Sequence, residues 1–138
     1  MSEKTIFSKI IDGEIPGVLA YQDEHCVVLM DAFPSIPGQC MVIPRTPVSY
    51  FVDLEPDLAS HLMKVAQRIA KASDAAFNTS RTCLVIEGYQ VPHVHVILYP
   101  VSQESGITAL NDVRASIYEA TLEEREATAS KIKACLNS

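Results

Sequence analysis

Basic side chains are few in this chain of 138 residues: 11 Lys and Arg stand against 17 Asp and Glu, which gives a formal charge of −6. A protein that holds the backbone of a nucleic acid polymer needs a basic surface, so this balance argues against such a partner. A small phosphate ligand stays compatible with it, because a local site can oppose the charge of the whole molecule.

Long apolar runs and paired cysteines are also absent. The first absence argues against a membrane-spanning segment or a secretory leader, so we expect a cytoplasmic protein with no membrane partner and leave the nucleus open. Without a C-x-x-C pair, a cysteine zinc site has no support. The four cysteines are expected to be buried free thiols: Cys26, Cys40, Cys83 and Cys135.

No linker rich in proline, glycine or serine divides the chain, and no internal repeat is visible. The length suits one ordinary domain and hydrophobic residues make up 48% of the chain, so we predict a single domain over residues 1–138. The clearest helix carries one apolar stripe after Pro56, formed by Leu58, Leu62, Val65 and Ile69.

The remaining elements follow from periodicity and turn residues. A short helix is predicted over 6–11, and a last helix begins at Thr121, where Glu124 completes a capping box. Strands are predicted at 18–21, 26–30, 40–43, 81–87 and 93–99, and residues 101–120 are expected to be mostly loop. This order predicts an α+β fold, with helices packed on an antiparallel sheet.

One segment concentrates chemistry, Gln90-Val-Pro-His-Val-His-Val-Ile-Leu-Tyr-Pro100. If it is a strand, His93, His95 and Ile97 share one face, and the intervening apolar residues point into the core. A neutral imidazole can attack phosphorus and form a covalent phosphoramidate. Its other ring nitrogen must then be held by an acceptor, so that the attacking nitrogen stays unprotonated.

Two other interpretations of the histidine pair compete with this one. A histidine in a strand is more often structural or exposed than catalytic. An H-x-H pair also suits metal ligation, but no third histidine or carboxylate follows His95 before Pro100, so a metal site ranks lower.

Several blocks taken together resemble the histidine triad (HIT) superfamily, over roughly residues 5–100 and closest to its Hint-type branch. In chain order they are Thr5-Ile-Phe-Ser-Lys-Ile-Ile, Gly13-Glu-Ile-Pro, Leu29-Met-Asp-Ala, Pro37-Gly-Gln-Cys-Met-Val-Ile-Pro and Val91-Pro-His-Val-His-Val. The resemblance implies a five-stranded antiparallel sheet with a central helix and a C-terminal helix. It also implies a homodimer that binds a purine nucleotide or nucleotide conjugate.

The resemblance further assigns roles to individual residues. His95 corresponds to the nucleophile and His93 to the histidine that orients it. Apolar positions around the base correspond to Ile6, Phe7, Ile10 and Leu29. Asp31 corresponds to the acid that holds ribose hydroxyls, and a turn residue at the end of a strand is the less favoured alternative. Gln90 corresponds to a polar position near the phosphate, and a solvated loop residue is nearly as good an interpretation.

The chain departs from the family pattern at positions that bear on catalysis. Ile97 stands where the family has its third histidine, and Gln39 where it commonly has another, both expected near the phosphate or leaving group. Thr5 and Ser8 occupy the positions of two cysteines that hold zinc in many relatives, so we predict no metal, and we expect no cofactor.

Two functions therefore remain open beside the metal-binding one. The first is a nucleoside phosphoramidase or nucleotide hydrolase that acts through a nucleotidyl-histidine at His95, slowed by Ile97. The second is a nucleotide-binding homodimer with little or no catalysis. The presence of both His93 and His95 favours the enzyme.

Overall fold

A computed structural model describes residues 4–102 and 116–136 of the chain. It contains three α-helices, α1 (Ile6–Ile11), α2 (Pro56–Phe77) and α3 (Leu122–Leu136), and a short 3-10 helix, Phe51–Asp53. Five strands form one sheet: β1 (Leu19–Gln22), β2 (Cys26–Met30), β3 (Cys40–Pro44), β4 (Arg81–Val85) and β5 (Val96–Val101). The predicted α+β architecture is thus confirmed.

The strands lie in the order β1-β2-β3-β5-β4, and each neighbouring pair is antiparallel. The sheet separates two apolar clusters. On one face, Val28, Val42 and Val96 pack with α2 and with Ile132 of α3. On the other face, Leu29 and other strand residues pack with α1. Both faces are covered, which explains why β2, β3 and β5 are buried along their whole length.

Each helix begins where the sequence predicts. Thr5 caps α1 by accepting a hydrogen bond from the Ser8 amide, and Pro56 occupies the first turn of α2. Thr121 Oγ1 accepts from the Glu124 amide at 3.0 Å, which is the predicted cap of α3. None of the helices formed by the described residues has the length and apolar character needed to traverse a lipid bilayer.

Several strand boundaries were predicted wrongly. β1 runs from residue 19 to 22, β4 ends at Val85, and β5 begins at Val96 instead of His93. The histidines precede the strand because the pairing of β3 with β5 runs only from Cys40↔Leu98 to Val42↔Val96. Beyond it, Pro44 has no N–H to donate to a ladder. Its carbonyl oxygen accepts instead from the ring of His93, at 2.7 Å from Nε2.

The other sequence predictions have mixed outcomes. All four cysteines are free, but only Cys26 and Cys40 are buried, while Cys83 and Cys135 are half-buried. Of the predicted loop 101–120, Val101 ends β5, residues 116–120 form neither helix nor strand, and residues 103–115 lie outside the described residues.

Candidate active site

A cavity of about 630 Å³ opens between α1, the end of β2 and the segment that precedes β5. That volume is typical of a site for a small organic ligand. The cavity is lined by nine of the ten predicted site residues: Ile6, Phe7, Ile10, Leu29, Asp31, Gln39, Gln90, His95 and Ile97. The tenth, His93, lies behind the wall and has no exposed surface.

His95 presents one defined ring nitrogen to chemistry. Its Nδ1 lies 2.8 Å from the carbonyl oxygen of His93. A carbonyl oxygen only accepts hydrogen bonds, so Nδ1 carries the proton and donates it there. Nε2 is then the unprotonated nitrogen, and it has no hydrogen-bond partner among the described residues. This is the arrangement that a nucleophilic imidazole requires.

The ring of His93 is held at both nitrogens. Nε2 donates to the Pro44 carbonyl oxygen, and Nδ1 accepts from the Thr5 hydroxyl at 2.8 Å. Thr5 Oγ1 in turn accepts from the Ser8 amide at 3.1 Å, which leaves the hydroxyl hydrogen available for His93. Burial lowers the pKa of His93, which favours the neutral form of the ring. The side chain anchors the loop, and its own backbone carbonyl orients His95.

Aromatic packing completes the support of the two imidazoles. The ring of Phe7 meets that of His95 edge-on at 5.0 Å between centroids, and that of His93 at 6.0 Å. Phe7 is itself buried in the cluster on the α1 face of the sheet. Although His93 and His95 precede the strand, they and Ile97 still share a face as alternation predicted, and Val94, Val96 and Leu98 fill the opposite core.

Asp31 and Gln39 are bonded to each other. Gln39 Nε2 donates to Asp31 Oδ2 at 2.8 Å, and the Phe33 amide donates to Asp31 Oδ1 at 2.9 Å. Gln39 Oε1 accepts from the Ser35 amide, so its side chain is fixed at both ends and buried. Asp31 therefore caps a turn as well as lining the cavity. Its carboxylate oxygens have lone pairs left to accept from a ligand.

A zinc ion, which the family resemblance would place beside positions 5 and 8, does not fit the side chains that this chain has there. The side chains at the corresponding place are two neutral hydroxyls, Thr5 and Ser8, and the imidazole of His93 already accepts from Thr5. Zinc sites use thiolate, imidazole or carboxylate ligands, and neutral hydroxyls are poor substitutes. The structure supports a hydrogen-bonded anchor at this place rather than a metal centre.

The described residues include one cluster with metal-ligating atoms close together, Asp23, Cys26 and His61, within 4.8 Å of one another. His61 Nε2 lies 2.7 Å from Asp23 Oδ2, and burial raises the pKa of the Cys26 thiol to about 12. This cluster is internally bonded and none of its residues lines the cavity. The prediction of no metal stays a prediction.

Several residues of the cavity wall escaped sequence analysis. Gly17, Phe33, Tyr99, Ile117 and Arg125 line the cavity, two of them from the segment around α3. No local pattern identifies Ile117 and Arg125, because their position depends on how the segment into α3 docks beside the end of β2. Outside the wall, Thr5 was also missed as the partner of the His93 ring, and its place just before the helix Ile6–Ile11 is a signal that could have pointed to it as a cap.

Comparison with known proteins gives consistent results. The profile described as the HIT domain matches residues 12–104. An uncharacterized HIT-like protein from Synechococcus elongatus is 34% identical over 104 residues, which cover 71% of this chain and 90% of the relative.

Solved structures extend the likeness to the fold. A Hit-like protein involved in cell-cycle regulation from Bartonella henselae superposes with a TM-score of 0.84 at 27% identity, covering 98% of each chain. A hypothetical histidine triad nucleotide-binding protein from Sulfolobus tokodaii gives a TM-score of 0.80 at 20% identity, covering 95% of this chain and 91% of its own. The second likeness concerns the fold alone.

Proposed function

The chain belongs to the HIT family, and from this premise we propose that it binds a purine nucleotide or nucleotide conjugate and hydrolyses it through His95. The observation that carries the proposal is the 2.8 Å contact between His95 Nδ1 and the His93 carbonyl oxygen. It fixes the tautomer and leaves Nε2 as a nucleophile in the wall of a ligand-sized cavity. The apolar side chains of Ile6, Phe7, Ile10 and Leu29, where the family resemblance places the base, line the same cavity and support this ligand class.

The proposed reaction has two displacements at phosphorus. The lone pair of His95 Nε2 forms a bond to the α-phosphorus, and the bond to the leaving group breaks with its electron pair on the leaving group. The imidazole then carries positive charge, which the His93 carbonyl oxygen stabilises through Nδ1–H. Water next forms a P–O bond as the P–Nε2 bond breaks, releasing a nucleoside monophosphate, and the proton of the water passes to solvent.

The two positions that the family resemblance places near the leaving group, 97 and 39, offer no proton to it. Ile97 is apolar and 7% exposed, and the amide of Gln39 is bonded to Asp31. Departing groups that are stable as anions should therefore react far better than those that need a proton. The same observation favours the second candidate function, a nucleotide-binding protein with little or no catalysis.

A chemical trap distinguishes the two candidates. The protein is mixed with labelled adenosine 5′-phosphoramidate or a fluorogenic nucleotide amide, and the reaction is quenched within milliseconds. A nucleotidyl-histidine is acid-labile, so label on the protein that is lost in acid supports the enzyme. His95→Ala should lower turnover by at least about 10³-fold, whereas His25→Ala, an exposed residue outside the cavity, serves as the control.

The chemical trap has different outcomes for the two candidate functions. Acid-stable label, or label that persists in His95→Ala, contradicts His95 as the nucleophile. Tight nucleotide binding with no turnover of either compound would support the second candidate function, a nucleotide-binding protein without catalysis.

The remaining proposals concern the number of domains, the oligomeric state and the location of the protein. We propose a single domain over 1–138, since α3 packs against α2 and β1. We also propose a homodimer, as in the Hint-type branch, in a cytoplasmic protein. An exposed edge strand supports the dimer: β4 ends the sheet, and Leu84 and the adjoining Ile86 remain 40% and 38% exposed.

A further inference from the structure

Away from the nucleotide cavity, the cluster of Asp23, Cys26 and His61 has the composition of a transition-metal site. Asp23 lies in the turn after β1, Cys26 begins β2, and His61 belongs to α2. One carboxylate oxygen, one sulfur and one ring nitrogen of these residues all lie within 4.8 Å of one another. Zinc sites in proteins are built from these three ligand types.

The turn between β1 and β2 holds two of the three side chains together. Asp23 and Cys26 are separated by two residues, which is the spacing of paired ligands in many structural zinc sites. The amides of His25 and Cys26 donate to Asp23 Oδ1, at 2.8 and 2.9 Å, and the Asp23 amide donates to the Cys26 carbonyl oxygen at 3.0 Å. A carboxylate thus stands where a zinc-binding turn usually has its first cysteine, which is why a search for cysteine pairs misses it.

The Asp23 carboxylate already holds the other two candidate ligands through protons. His61 Nε2 donates to Asp23 Oδ2 at 2.7 Å, and the Cys26 thiol donates to the same carboxylate. A bound ion takes the place of these protons, since a ligating sulfur is a thiolate and a ligating imidazole is neutral. The thiol proton passes to solvent, and the ring proton of His61 moves to Nδ1 with solvent as the carrier.

The surroundings orient the carboxylate without occupying it fully. The Tyr21 hydroxyl donates to Asp23 Oδ2 at 2.8 Å, as outer hydrogen bonds do for the ligands of metal sites. Arg45 Nε donates to the backbone carbonyl oxygen of Asp23, also at 2.8 Å, so this contact leaves the side chain to the ion. One thiolate and one carboxylate balance the charge of a divalent ion, and a neutral complex is less costly to bury than a charged one.

An ion can reach the cluster from the surface. Cys26 is fully buried, but the side chains of Asp23 and His61 are 21% and 32% exposed. His61 also lines a separate surface cavity of about 670 Å³ together with His25. Water from this side can fill the fourth position of a tetrahedral site.

We propose that Asp23, Cys26 and His61 form a zinc site that ties the turn between β1 and β2 to α2. None of the three residues lines the nucleotide cavity, so the inference is independent of the proposed function. It departs from the sequence prediction of no metal, which rested on the missing cysteine pair and on Thr5 and Ser8.

Titration of the intact, untagged protein with Co²⁺ after treatment with a chelator tests the inference. A cobalt–thiolate bond gives a charge-transfer absorption that imidazole and carboxylate ligands do not give. The wild type should develop this band as one ion binds per chain, and Zn²⁺ should abolish it by displacing the cobalt. Zn²⁺ should also raise Tm, because it binds the native state alone.

Cys26→Ser should remove the cobalt band and weaken Zn²⁺ binding, measured by calorimetry, by at least about 100-fold. His61→Ala should weaken it by at least about tenfold. His61 is half-buried on a helix, so this variant decides the question if Cys26→Ser does not fold. Thermal melts establish which variants are folded.

Cys40→Ser is the matched control. Cys40 is a fully buried thiol like Cys26, and burial raises its pKa to about 12 as well, but it lies outside the cluster. The cobalt band and the Zn²⁺ affinity should be intact in this variant. A wild type that binds neither ion overturns the inference. So does an unchanged band in folded Cys26→Ser, or an unchanged Zn²⁺ affinity in folded His61→Ala. Each of these results leaves the proposed function standing.

Discussion

The ring of His95 is oriented by the backbone of His93, whose carbonyl oxygen lies 2.8 Å from His95 Nδ1. The ring of His93 is in turn tied to α1 through Thr5 and to β3 through Pro44. The position of the proposed nucleophile therefore depends on a residue far away in sequence, the threonine that caps the first helix.

Thr5→Val should lower kcat by about tenfold with little change in KM, because valine matches the shape of threonine but donates no hydrogen bond to His93 Nδ1. Without that donor the His93 ring takes up a proton more readily, so the acid limb of the pH–rate profile should move to higher pH. Thr5→Ser should restore both properties. A Thr5→Val enzyme with an unchanged profile and rate would show that the contact is dispensable.

The stability of the protein should fall as the pH drops below 6.5. Burial lowers the pKa of His93 from its usual 6.5, so below that pH the unfolded chain binds a proton that the native state does not. The slope approaches about 1.4 kcal/mol per pH unit for one proton. Asp23, whose pKa is lowered from 3.8, contributes only at more acidic pH.

Chemical denaturation between pH 5 and 8 measures this slope. His93→Gln, although less stable overall, should show a flatter dependence than the wild type in the window from about 6.5 to 5. Parallel curves for the two proteins would mean that His93 titrates normally.

Gly17→Ala should weaken nucleotide binding by about tenfold with little loss of stability. A Cβ at Gly17 would lie 2.6 Å from Ile10 Cγ2 and 2.9 Å from Leu29 Cδ1, so both side chains must shift in the cavity wall. The residue is exposed, and its backbone needs no special conformation. Titration with a nucleoside monophosphate measures the effect.

Gly13→Ala is the matched control for that change. Gly13 has φ +82° and open space around it, so alanine there strains the backbone without touching the cavity. It should lower Tm and leave the affinity unchanged. The reverse pattern in the two variants would disprove the assignment of Gly17 to the ligand wall.

Ile97→His should raise turnover, most for poor leaving groups, since it supplies a proton donor on the same face as His95. General acid catalysis is typically worth about 10²–10⁴-fold. Ile97 also packs in the cluster on the α1 face, so the change should cost about 1–3 kcal/mol of stability. Kinetics on a graded series of leaving groups measures the gain in turnover. Ile97→Asn is the control that introduces a polar side chain without a proton donor for general acid catalysis. A folded Ile97→His protein without gain on any substrate would show that this position does not limit the rate.

The homodimer should be detectable at micromolar concentration by light scattering. Leu84→Lys places a charge on the exposed edge strand and should shift the mass toward the monomer. Lys131→Gln, at an exposed position on α3 and not on the edge strand, is the control and should leave the mass unchanged. A monomeric wild type would disprove the proposal.

Much of this architecture could be predicted from the sequence, because local signals agree with it. The stripe from Leu62 to Ile69 and the cap at Thr121 are set within a few residues. The start of β5 could not be predicted, since the strand is limited by the missing N–H of Pro44 in a different strand.

The residues of the candidate site likewise fall into those that the sequence identified and those that it did not. Local sequence blocks identified His95 and Asp31, both of which line the cavity. The Asp31–Gln39 hydrogen bond and the presence of Arg125 depend on tertiary docking, which leaves no periodic trace in the sequence.

The cavity draws its walls from distant parts of the polypeptide: Ile6 belongs to the first described helix and Arg125 to the last. A nascent chain can pair β1 with β2 soon after both emerge from the ribosome, but the binding cleft closes only once α3 has docked. We therefore expect a ligand of this cavity to bind the completed fold and no earlier intermediate. Occupancy adds its binding free energy to the global unfolding equilibrium and protects both helices together from proteolytic opening.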